Sequence, residues 1–145
     1  MQPSPNQPNI ASRYRTLMTL WFAMLMSLLM YLLFIRFAPT TANPNQRLTL
    51  VLICFGLVPA SLSFLLKQTM LARSVEKQKV ESVQVAYVVA WALCEVSALL
   101  GLVDHFVTGS NYFYLAFVVA GLGLLLHFPQ KRHLLAATEL QSRLR

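Results

Sequence analysis

Acidic residues are scarce in this chain: its 145 residues include five Asp and Glu in all, against twelve Lys and Arg. Cysteine is limited to Cys54 and Cys94, and glycine to five positions. There is no Gly-rich phosphate loop, no His–Glu metal pair at helical spacing, and no serine or cysteine with a histidine at matching depth in the apolar runs. Acid–base, metal and nucleophilic chemistry each need several polar groups facing one another, so these shortages argue against an enzyme and against a bound cofactor. Two cysteines in separate apolar runs make neither a disulfide framework nor a metal site, and they read as small buried side chains.

What the chain has in excess is hydrophobicity, at 57% of residues with only 12% charged and a mean hydropathy of +0.57. Soluble domains carry about a quarter of their residues charged, so the composition points to an integral membrane protein. Four apolar runs, 14–37, 48–70, 83–107 and 112–128, each reach the roughly 17 residues that suffice for a helical span. Pro39, Asn43, Pro44 and Asn45 break the first two apart, a charged stretch over 73–82 separates the second and third, and Thr108-Gly109-Ser110-Asn111 makes the last turn. The fold class expected is all-α, a polytopic bundle of four transmembrane helices over 14–132. Residues 1–13, with Pro3, Pro5 and Pro8, read as a disordered tail, and 133–145 as an amphipathic cytoplasmic tail with Leu134, Ala137, Leu140 and Leu144 toward one side.

Basic residues orient the spans. With the N-terminus inside, ten of the twelve fall on the cytoplasmic side and only Arg36 and Arg47 outside, which predicts an N-in, C-in arrangement. The same placement explains the +7 charge, whose nearest partner is anionic lipid rather than nucleic acid. The first run has an apolar core longer than a signal-peptide h-region and reads as a retained anchor.

Helices in lipid associate through small residues and interhelical hydrogen bonds. Gly56 and Ala60 in the second span, Ala90, Cys94, Ala98 and Gly101 in the third, and Ala116, Ala120 and Gly123 in the fourth form small-residue faces suited to close packing. These faces are also the expected means of contacting another membrane protein or a second copy. Pro59 should kink the second span, with Ser61 or Ser63 satisfying a freed carbonyl.

Glu95 is the one acid deep in an apolar run, where insertion costs about 2.5–3.5 kcal/mol. It lies about 18 Å along the third span, at the depth of Ser27 and Ser61. Two readings follow: a neutral carboxyl serving as hydrogen-bond glue, or a proton or cation site using Glu95, Ser27 and Ser61. Asp104 and His105, at the outer end of the same span, read as a solvated helix end, or else as an outer polar pair or a proton entry. His127, near the inner end of the fourth span, reads as an interfacial or structural residue within reach of headgroups.

Residues 92–103, Ala-Leu-Cys-Glu-Val-Ser-Ala-Leu-Leu-Gly-Leu-Val, resemble the ion-carrying helix of the F-type ATP synthase rotor ring subunit, with Glu95 followed six residues on by Gly101-Leu102-Val103. The resemblance implies Glu95 as a reversible proton carrier. It covers about a dozen residues, and the glycine-rich partner helix of that family is replaced here by a run with Gly56 and Pro59. The chain as a whole is similar to small four-span bacterial membrane proteins of uncharacterised role, through the same Glu-to-Gly-Leu-Val helix and the ending Phe128-Pro129-Gln130-Lys131-Arg132. That likeness implies a multi-pass bacterial inner-membrane protein. The function expected is a non-catalytic accessory or assembly subunit, with an oligomeric proton- or cation-coupled carrier as the alternative.

Overall fold

A computed structural model describes residues 10–38, 40, 42–76 and 80–136. Every element among them is helical: α1 (Ile10–Phe37), α2 (Gln46–Glu76), α3 (Val80–Thr108), a single 3-10 turn at Asn111–Phe113, and α4 (Tyr114–Leu126), followed by a further helical turn over 131–136. The first three are long and apolar enough to cross a membrane, whereas α4 with its leading 3-10 turn is a shorter apolar segment. α2 has 31 residues and α3 has 29, or about 46 Å and 44 Å of helix, so both outrun a bilayer core of about 30 Å.

The first helix begins at Ile10, inside the stretch expected to be a tail, and the second at Gln46. Residues 1–9 and 137–145 lie outside the described residues, as do the expected positions of Ala137, Leu140 and Leu144. Leu134 departs from the expectation of a tail resting on the leaflet: it is fully buried in the core.

Neighbouring helices alternate in direction. α3 is the hub, running antiparallel to α2, from Thr49 beside Thr108 to Ser63 beside Cys94, and antiparallel to α4, from Gly101 beside Ala116 to Trp91 beside His127. α1 runs parallel to α3, with Arg13 at Gln84, Ser27 at Glu95 and Phe34 against Phe106. All nine small residues singled out from the sequence are buried in this bundle. They are occupied within the chain.

Close approach has visible causes. Ser97 donates its hydroxyl to the Gly56 carbonyl at 2.6 Å, and no Cβ stands between α2 and α3 there. Ser63 bonds the Ala60 carbonyl at 2.6 Å, not the Phe55 carbonyl that Pro59 leaves without its i+4 donor, and Ser61 is exposed. A three-residue reach returns the short serine side chain to its own turn. At the turn between α3 and α4 Gly109 adopts φ 58° against the Ala42 backbone, a conformation and a clearance that only glycine meets easily.

Candidate functional site

Glu95 sits half-buried on α3, and its partners are two hydroxyls of α1: Ser27 Oγ donates to Oε1 at 2.6 Å and Tyr31 Oη donates to the same oxygen at 3.0 Å. Ser27 and Tyr31 are one helical turn apart, so both point from a single face of α1. Ser61 does not join them; it is exposed on α2, on the other side of the hub. Equal depth said nothing of azimuth. Tyr31 was missed by depth alone, although its i+4 spacing from Ser27 was there to be read.

Asp104 and His105 do not pair. Successive helical residues diverge by about 100°, and the two side chains go to different neighbours. Asp104 is fully buried and its Oδ1 accepts from the Thr108 hydroxyl at 2.8 Å; Thr49 Oγ1 donates to Thr108 Oγ1 at 3.0 Å, which ties α2 to α3. His105 instead packs edge-on against Phe106 and Phe113, at 5.1 and 4.9 Å between ring centres. Asp104 Oδ2 and both His105 ring nitrogens have no hydrogen-bond partner.

The largest polar cluster lies elsewhere, between α2, α3 and the end of α4. His127 is 1% exposed, which removes it from the headgroups. Its Nε2 is 2.9 Å from Ser63 Oγ and its Nδ1 is 3.4 Å from Lys67 Nζ. Lys67 ammonium can only donate, so Nδ1 accepts and the ring proton belongs on Nε2. Ser63, whose own proton goes to Ala60, accepts from that Nε2–H and from the Cys94 thiol at 3.7 Å. A serine therefore does meet a histidine, contrary to the expectation from depth. The donor order runs from lysine to histidine to serine to a backbone carbonyl, and it leaves His127 with no lone pair facing Ser63. That direction is wrong for a histidine withdrawing a serine proton.

Lys67 also stands 4.4 Å above the Tyr87 ring. Tyr87 Oη accepts the Gln130 N–H at 3.2 Å and is hydrogen-bonded to His133 Nδ1 at 2.6 Å, and Trp91 Nε1–H donates to the His127 carbonyl at 3.0 Å. Lys67, a span-flanking charge in the sequence, is thus almost enclosed, and His133 is an anchoring point for the last helical turn.

Burial holds the His133 imidazole below its ordinary value of 6.5, and the nearby Lys67 and Arg132 charges push the same way. The unfolded chain takes up a proton that the folded chain refuses, so this contribution to stability is complete above the ordinary value and declines as pH falls below it. The melting temperature in detergent should drop between about pH 7.5 and about pH 5.5, and His133→Asn should flatten that slope. An equal slope in both proteins would place the titration at another group.

Among the described residues no group of three His, Cys, Asp or Glu side chains is arranged to hold a metal ion. Comparison with protein-family models, curated proteins and solved structures found no match.

Proposed function

We propose that the chain spans a bacterial inner membrane four times with both termini inside, and that it acts without catalysis, as a small accessory or assembly subunit of a membrane complex. The alternation of helix directions and the ten-to-two distribution of basic residues support the orientation. The observation that carries the role is the engagement of Glu95. Its carboxyl joins α3 to α1 through two hydroxyls, the pattern of a polar fastener between membrane helices. With the small-residue faces occupied internally, a partner meets the exposed apolar side chains, such as Phe22, Met26 and Met30 on α1.

The alternative, an oligomeric carrier of protons or cations, draws on one feature: Glu95 is only half-buried, so exchange with the surroundings is open to it. Substitution separates the two. Glu95→Gln keeps an oxygen for both hydroxyls and should leave bundle stability within about 0.5 kcal/mol, while Glu95→Ala strands Tyr31, leaves Ser27 only its bond to the Met24 carbonyl at 2.8 Å, and should cost about 1 kcal/mol.

The experiment is purification from native membranes through a C-terminal tag, with co-isolated proteins identified by mass spectrometry. A stoichiometric partner retained by Glu95→Gln is the expected result. A homogeneous self-oligomer, with an ion flux abolished by Glu95→Gln while assembly persists, would replace the accessory reading with the carrier.

A further inference from the structure

Beside the His127 cluster a cleft of about 260 Å³ opens between α2, the end of α4 and the turn over 131–136. Its polar lining includes Lys67, Arg132, His127 and His133, and its apolar lining includes Phe64 and Leu126, which are 37% and 66% exposed. Among the described residues no carboxylate lines it. Lys67 is 9% exposed, so its ammonium is withdrawn from water with a neutral imidazole and an aromatic ring as its neighbours. A lysine so enclosed is costly without an anion to offset it.

We propose that this cleft binds the phosphodiester headgroup of one anionic phospholipid, with an acyl chain running out along Phe64 and Leu126. Lys67 supplies a point charge with two donors beyond the one given to His127, and Arg132 supplies a planar fork suited to phosphate oxygens. His133 lines the same cleft, its ring held in place by the bond between Nδ1 and the Tyr87 hydroxyl. A free phosphate would have no use for the two apolar side chains at the mouth, whereas a lipid uses both halves of the lining. Basic pockets between membrane helices at the cytoplasmic side are suited to such headgroups. The inference rests on the membrane-spanning reading given above.

The test is native mass spectrometry of the delipidated full chain in a neutral detergent, offered equal amounts of phosphatidylglycerol and phosphatidylcholine with the same acyl chains. One phosphatidylglycerol retained per chain, in preference to phosphatidylcholine by about tenfold, is expected. Arg132→Gln, at an exposed position that folding tolerates, should reduce retention about fivefold, as should Lys67→Met. Lys131→Gln, whose charge lies over the Tyr14 ring, should leave it unchanged.

Equal retention of the two lipids, or an Arg132→Gln variant that binds as well as the parent, overturns the proposal. Complete displacement by millimolar inorganic phosphate reassigns the cleft to a free anion and overturns the lipid claim. Selectivity that appears only in Glu139→Gln assigns the cleft to the chain's own Glu139 carboxylate and does the same. Alkaline extraction of native membranes reads the underlying premise separately: a chain released to the supernatant overturns the membrane reading, and one retained without lipid selectivity overturns only this inference.

Discussion

Replacing Gly101 with leucine should separate α4 from the hub and cost about 3 kcal/mol or more. A Cβ at Gly101 would lie 2.8 Å from Ala116 Cβ, 3.0 Å from the Phe113 carbonyl oxygen and 3.2 Å from the Phe117 ring. Two of those neighbours cannot swing aside, since one is backbone and the other is the first atom of a side chain fixed to it. Alanine alone should cost about 2 kcal/mol.

The two glycines of α4 calibrate the effect. At Gly123 a Cβ meets the Cys94 sulfur at 2.6 Å, the movable end of a short side chain, so Gly123→Ala should cost less and Cys94→Ala should restore it. At Gly121 nothing lies within 4 Å, and alanine there should be neutral. Thermal or denaturant unfolding in detergent, run on the three alanine variants together, checks the order. Equal losses at all three positions would mean that α4 is not seated on α3 as described.

Trp91→Ala should cost about 4 kcal/mol. Trp91 is fully buried where α3 meets the end of α4, packs against Tyr87 with 5.6 Å between ring centres, and donates to the His127 carbonyl at 3.0 Å. Truncation removes the contacts of a large ring and leaves that carbonyl unpaired in a dry interior. In lipid the transfer term shrinks, yet the cavity and the lost hydrogen bond remain. Trp91→Phe keeps most of the volume and should cost about 1–2 kcal/mol, mainly through the hydrogen bond.

Trp21, anchored to the Leu124 carbonyl at 2.9 Å, remains as a fluorescent reporter of the same end of α4 in both variants. Its emission should shift toward the red well before α1 unfolds if Trp91→Ala loosens that end. An unchanged midpoint in Trp91→Ala would contradict the burial of this ring.

The elements were legible because their signals are local. Runs of apolar residues fall between Pro39, Asn43, Pro44 and Asn45 on one side and Gly109, Ser110 and Asn111 on another, and α1 to α4 follow those breaks within a few residues. The small residues from Ala90 to Gly101 repeat every three or four, which is the spacing of one helical face, and that face is buried. Ser27 was legible beside Glu95 by depth, since a rise of 1.5 Å per residue converts position into height.

Rotation about each helix axis was not legible. Ser61 shares the depth of Glu95 yet lies on an exposed side of α2, while Tyr31, placed one turn along α1, completes the carboxyl's partners. Lys67, His127, Ser63 and Cys94 come from three helices, separated by up to 64 residues, and no spacing within one segment encodes their meeting. His127 and Lys67 each read as span-flanking polar residues until the bundle enclosed them.

By itself the sequence determined that the protein is helical, apolar and divided into these segments, because hydrophobic length, periodicity and turn residues act over a few neighbours. Only the tertiary structure decided which polar groups touch. That choice depends on how each helix is rotated and shifted against α3, and the balance is set by side-chain volumes such as those around Gly101 and by hydrogen bonds that each helix cannot satisfy alone.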